Sequence, residues 1–252
     1  MQLAPDVYQV GGAFLTFKWD AAVYLIRTEK PVLIDCGCRY GFTKLKKNLE
    51  IIGLSIKDID MVIGTHGHYD HIDAIESIKR ESEVNFALHE ADIETVEKAD
   101  PEKTCSRWLY NEDFCSTKVD IKLEDGQSIS LSDGIQLRII HTPGHTPGSI
   151  CVLAKLKGIN VLFCGDSMIG GFSSRIGSNH KAWCKSLLKL LDYDFDCLFL
   201  GHTHSVLLGN GKERIRETLR AMQSRFFGTY IRPLWQDSNY YVDPSTVDKL
   251  II

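Results

Sequence analysis

Thr65-His66-Gly67-His68-Tyr69-Asp70-His71 places three of the nine histidines and an aspartate within residues 66–71. Random placement at this composition gives H-x-H-x-D-H on the order of once in a thousand chains of this length, so the string asks for a physical reason. Imidazoles at i and i+2 cannot share a helix face, but an irregular loop leaving a strand aims both at one point. Neutral imidazole and carboxylate suit zinc or iron, whereas calcium and magnesium want mostly oxygen. The segment therefore reads as a metal loop. Asp70 has a second reading as the N-cap of a helix starting near His71, with Asp73 in a capping-box-like position. Capping requires no histidines, however. Tyr69, between the ligands, is expected to pack or to form pocket wall.

Outward from this loop, Asp60 to Gly64 is a short apolar strand, and His71 to Arg80 carries Ile72, Ile75 and Ile78 at helical spacing before a strand at Val84 to Leu88. Upstream, residues 22–36 read as two short strands joined by a turn at 29–31 and ending at Asp35-Cys36-Gly37, followed by a helix over 42–52. Downstream, 119–161 reads as strands separated by Asp-Gly turns at 125–126 and 133–134, which predicts an antiparallel stretch. A helix over 183–191, a buried strand over 197–200 and an amphipathic helix over 214–226 follow, then a polar tail with Trp235, Tyr240 and Tyr241. Without a linker or internal repeat, 1–252 is expected to be one domain, with the role of 227–252 open.

Three more elements end apolar runs with ligand-type side chains. In Thr142-Pro143-Gly144-His145-Thr146-Pro147-Gly148, two prolines and two glycines fix the backbone around His145. Gly165-Asp166 closes a second run, and Gly201-His202-Thr203-His204 a third. Each is weak alone and gains meaning beside the first cluster. His141 and His204, near these ligands, are expected to support the site or face solvent, while His89 and His180 carry no motif.

Composition narrows the classes of function. Hydrophobic residues make up 44%, charged residues 25%, and the net charge is −4 with no long run of one sign, which excludes a disordered chain and argues against a nucleic-acid partner. No stretch approaches 18 uncharged apolar residues, and Met1 to Asp6 lacks a leader pattern, so the expectation is a cytoplasmic protein with no membrane partner. The eight cysteines form no CxxC pair and are expected to be reduced. Cys151, Cys164 and Cys197 sit in apolar runs as small hydrophobes, and Cys36-Gly37-Cys38 is not assigned to a site.

The pattern H-x-H-x-D-H, followed by separate His, Asp and His at strand ends, resembles the metallo-β-lactamase superfamily over roughly residues 7–225. The resemblance implies an α/β fold, an αββα sandwich of two mixed β-sheets flanked by helices. It also implies that His66, His68 and His145 bind one divalent ion and Asp70, His71 and His202 a second, with Asp166 bridging. Zinc is the first expectation, iron or manganese the alternatives. In such a site two ions share a hydroxide whose pKa falls toward roughly 7, and Asp70 is expected to orient it. Asp35 matches a position that supports the metal loop by hydrogen bonding; it also reads as a simple cap of the following turn.

The resemblance leaves the substrate open. A small-molecule lactone, thioester or related carboxyl ester or amide comes first, because the bridging Asp166 is commonly missing from β-lactamases; promiscuous β-lactam hydrolysis is compatible. The alternatives are an iron-dependent persulfide dioxygenase and an RNA-processing phosphodiesterase, for which no basic arm is found. For the pocket, Phe14, Phe17 and Trp19 are expected in a hairpin overhanging the metals, with core packing as the equal alternative. In the loop after Asp166, Met168 and Arg175 are expected to meet substrate.

Overall fold

The computed structural model describes residues 1–202 and 206–223. The tail from 227, with Trp235, Tyr240 and Tyr241, and His204 lie outside the described residues.

Two sheets form the centre. The first runs β1 (Gln2–Ala4), β2 (Val7–Gly11), β3 (Val23–Ile26), β4 (Val32–Ile34), β5 (Met61–Ile63), β6 (Asn85–His89) and β7 (Ile121–Leu123), in sequence order across the sheet. It is antiparallel from β1 to β4 and parallel from β4 to β7. The second contains β8 (Ser128–Ser130), β9 (Gln136–His141), β10 (Ile150–Leu156), β11 (Ile159–Phe163), β12 (Cys197–Phe199) and β13 (Val206–Leu208), side by side in that order. Only its β11–β12 pair is parallel. Helices α1 (Phe42–Ile51), α2 (Tyr69–Ile72), α3 (Ile75–Glu81), α4 (Glu90–Glu97) and α5 (Ser106–Tyr110) lie between strands of the first sheet. Helices α6 (His180–Leu190) and α7 (Gly211–Met222) belong to the second. Among the described residues no helix is long and apolar enough to cross a membrane.

The alternation of side chains along each strand sorts the apolar residues into three layers. Val32 and Ile34 of β4 face Ile139, Val152 and Phe163 between the sheets, while Leu33 between them turns outward onto Leu45, Leu49 and Ile75 of the helices. On the far side, Cys151, Leu153 and Leu162 pack beneath Trp183, Leu187 and Ile215. This is the αββα sandwich expected above.

Two expectations need correction. The stretch 119–161 is not one antiparallel unit: β7 pairs parallel with β6 in the first sheet, and the antiparallel run starts only at β8. Asp120 pins the crossover, its N–H donating to Phe86 O at 2.9 Å and its carboxylate accepting from Phe86 N at 2.9 Å. The helix expected over 71–80 is broken between α2 and α3. His71 O, which a continuous helix would offer to residue 75, instead accepts from Cys36 N (2.7 Å) and Gly37 N (2.9 Å).

Candidate metal centre

Strand ends from both sheets converge on one point because the chain ties them there. Ala21 N donates to Asp70 O (3.1 Å), Ala22 N to Gly201 O (2.7 Å) and the Tyr24 hydroxyl to Leu200 O (2.6 Å). These bonds bring the loop after β5 to the turn after β12, while Ile150 N donating to Thr65 O (2.9 Å) and Gly201 N to Gly165 O (2.9 Å) bring in the turns after β9 and β11. His66, His68, Asp70, His71, His145, Asp166 and His202 come together, all buried except His202, which is half-buried.

The cluster has two halves. In the first, His66 Nε2 lies 2.9 Å and His145 Nε2 3.0 Å from His68 Nδ1. Partners behind the rings set their orientation. His145 Nδ1 donates to Gly171 O at 2.7 Å, and His66 Nδ1 lies 3.1 Å from Thr65 Oγ1, whose own proton goes to Asp35. Both rings thus turn an unprotonated Nε2 inward. In the second half, His202 Nε2 lies 3.2 Å from His71 Nε2 and 3.2 Å from Asp70 Oδ2. Asp166 joins the halves, Oδ2 reaching His145 Nε2 at 3.5 Å and Oδ1 reaching His71 and His202 Nε2 at 3.3 Å.

With its proton on Nε2, His68 would bring a third lone pair to face those of His66 and His145, a set that a cation among them would satisfy. Bonds of 2.0–2.1 Å from a tetrahedral zinc would put ligand nitrogens about 3.3 Å apart, a few tenths of an ångström wider than the first half. Three groups, His66–His68–His145, His66–His71–Asp166 and Asp70–His71–His202, bring their ligand atoms within 4.8 Å. These residues fit divalent metal ions. The arrangement leaves a buried His68 Nε2 without a partner among the described residues.

Supporting carboxylates hold the loops. Asp35, at φ 60°, accepts from Thr65 N (2.7 Å) and Thr65 Oγ1 (2.9 Å), and His71 Nδ1 lies 2.7 Å from its Oδ2. It therefore supports the metal loop rather than merely capping its own turn. Asp92 of α4 carries no sequence motif. It accepts from Gly67 N (2.9 Å), Thr146 Oγ1 (2.8 Å) and Gly148 N (2.7 Å), joining the His66–His68 loop to the His145 turn. Gly201 is required by crowding, since a Cβ there would lie 2.6 Å from Asp166 Oδ1 and 2.9 Å from His71 Cε1.

Electrostatics divides the halves. Burial, with neighbouring imidazoles, pushes His66 and His68 well below the usual histidine range, and burial lowers His145 despite the Asp166 charge. Burial also opposes charge on His71 and His202, but Asp35, Asp166 and Asp70 overcome it at His71, which rises well above its usual value. Asp166 leads in raising His202 to about 9. Against its own burial, Asp166 is held well below the carboxylate range by His202 and His71.

A narrow cleft opens on His68, Asp70, His145 and Asp166. One wall is α5 with Cys105 before it (Trp108, Leu109, Tyr110); the other is Gly171, Phe172, Ser173 and Ile176. The second wall agrees with the segment expected to meet substrate, but not with the residues chosen from it. Met168 is buried under the second sheet with Trp183. Arg175 turns to Glu102 (3.8 Å) and lies over the Trp108 ring at 5.6 Å, so it links the two walls from outside. Residues 12–16 form a turn rather than a hairpin, and Phe14 projects into solvent, 97% exposed. Phe17 and Trp19 pack on the first sheet's helical side, 5.2 Å apart, and the Trp19 ring meets the cleft-lining Tyr110 at 5.5 Å. Sequence gave no sign of α5 as a wall. His141, stacked on His89 at 3.8 Å, points to Pro147 O and away from the cluster.

The family model described as the metallo-beta-lactamase superfamily matches residues 18–202. A probable metallo-hydrolase of Methanocaldococcus jannaschii is 34% identical over 152 residues, covering 60% of this chain and 69% of that protein. An acyl-coenzyme A thioesterase of Homo sapiens is 29% identical over 204 residues, covering 68% of each chain. In fold, the metallo-β-lactamase FEZ-1 of Legionella gormanii matches with a TM-score of 0.73 at 19% identity, covering 92% of this chain and 95% of that one.

Proposed function

The chain belongs to the metallo-β-lactamase superfamily and is a metallo-hydrolase, and on that premise we propose that it hydrolyses acyl thioesters with two divalent ions, zinc first. The observation that carries this reading is Asp166, whose two oxygens face opposite halves of the cluster. His66, His68 and His145 would hold one ion, Asp70, His71 and His202 the other, with Asp166 between. When bound, such ions lower the pKa of water toward about 7 and polarise a carbonyl oxygen. Asp70, kept ionised against its burial by His71 and His202, offers a carboxylate oxygen that orients the attacking water and accepts its proton. Trp108, Leu109, Phe172 and Ile176 supply an apolar wall that holds an acyl group and keeps bulk water out. A thiolate, from a thiol of pKa about 8.5, leaves without a strong proton donor, which a lactone's alkoxide would need. The thioesterase named among the relatives supports the same choice. Eight free thiols suit a reducing compartment such as the cytoplasm.

The test is a comparison of the zinc-loaded chain on an acyl-coenzyme A, a γ-lactone and a penicillin. A kcat/KM for the thioester at least about tenfold above the others, equivalent to roughly 1.4 kcal/mol of transition-state preference, is the expected result. Preference for the lactone or the penicillin would overturn the substrate assignment.

A further inference from the structure

Asp92 is buried in the first turn of α4, and among the described residues its carboxylate meets hydrogen-bond donors rather than a lysine or arginine. A buried carboxylate without a cation depends on those donors, and here they come from two separate segments. Oδ2 takes Gly67 N–H, which stands between His66 and His68, and the Thr146 hydroxyl, next to His145. Oδ1 takes Gly148 N–H at the end of the same turn. A Cβ on Gly148 would lie 2.4 Å from Asp92 Cγ, so glycine there is what lets the carboxylate reach the turn. The turn is rigid in itself: Thr142 N donates to Ser149 O (2.8 Å), Thr146 N to Ser149 Oγ (3.0 Å) and Gly144 N to Thr146 O (3.1 Å). It moves as one piece, and Asp92 sets where that piece stands against the His66–His68 loop. His71 is held by other ties, Asp35 at its ring and the Cys36 and Gly37 N–H groups at its carbonyl.

We infer that Asp92 is a positioning residue for the first ion alone: by gathering donors from both sides it sets the spacing at which His66, His68 and His145 converge, and the Asp70–His71–His202 half does not depend on it. The inference rests on the two-ion reading above.

D92N keeps the shape but leaves one acceptor oxygen, so its amide N–H groups must face a donor from the loop or from the turn. In the full chain, chelator competition with zinc is expected to show the first ion loosened about 10- to 100-fold and the second within about twofold. H202A, which takes a ligand from the second half, identifies which constant belongs to which ion. T146V removes one donor and leaves the two backbone N–H groups, so it should loosen the same ion about threefold. If D92N fails to fold, T146V decides, and unchanged affinities in it would overturn the inference. D120N removes another carboxylate tie, to Phe86 N at the start of β6, and should leave both affinities unchanged. A folded D92N that leaves both ions unmoved or weakens both equally contradicts the inference, as does a D120N that matches it. If the unaltered chain holds a single zinc, the two-ion reading fails; D92N loosening that ion while D120N leaves it alone still supports the role of Asp92, and D92N without effect overturns it.

Discussion

His66, His68 and His145 meet one another through uncharged partners, Thr65 Oγ1 behind one ring and the Gly171 carbonyl behind another. His71 and His202 meet Asp70, with Asp35 behind His71 and Asp166 shared between the two. One six-residue stretch supplies ligands to both halves, so the contrast arises from what stands behind the rings. Uncharged partners and burial leave the first half neutral and ready to ligate. Carboxylates leave the second half holding protons that a metal ion must displace.

Asp166→Ala should do the most damage, because it faces both halves. The expected loss in kcat exceeds the roughly hundredfold seen when supporting groups are removed, with zinc content falling in both halves by elemental analysis. Loss of one ion alone would mean that the halves are not joined through Asp166.

Asp35→Asn separates the halves more sharply. It keeps the shape but weakens the acceptor behind His71, so zinc affinity in the second half should drop about 10- to 100-fold, and the first half, which Asp35 reaches through Thr65 Oγ1, should drop less. Chelator competition measures both, and an equal drop in both would erase the distinction.

The protons give a pH signature. His202 is raised to about 9 without metal, so the weaker affinity should fall about tenfold for each pH unit below 9 per proton displaced. His66, His68 and His145 are lowered, so the first half should change little between pH 7 and 9. For the metal-free fold the sign is fixed by the raised His202. Its stabilisation is fully present below about pH 6.5 and is lost as pH rises through 9, at most about 3 kcal/mol. Thermal unfolding of the stripped chain across that window reads it directly, and rising stability would contradict it.

Phe14→Ser should have the smallest effect, within about 0.5 kcal/mol of stability and with kcat/KM unchanged within about twofold. A tenfold loss of kcat/KM would restore the overhanging role that its sequence position suggested.

Much of this contrast was legible in the chain because the ligands are local. His66, His68, Asp70 and His71 share one loop, and His145, Asp166 and His202 each end an apolar run, so period and punctuation exposed them. Helix and strand order was equally readable, since Leu33 between Val32 and Ile34 already writes an inner and an outer face. What escaped depends on distant contacts. Asp92 resembles any acid in a helix's first turn until Gly67 and Gly148 arrive from other parts of the chain. The α5 wall is a five-residue helix with no periodic signature, placed by Tyr69 and Thr104. Phe14 and Arg175 misled because an aromatic or a cation near a ligand carries no information about direction.

Zinc content per chain, measured by elemental analysis after dialysis against limiting zinc at about pH 8.5 and about pH 6, tests the two-half centre most directly. Near two ions at the higher pH, falling to near one at the lower as the Asp70–His71–His202 half takes up protons, is the expected result. A constant single ion, or both ions leaving together over that range, would contradict it.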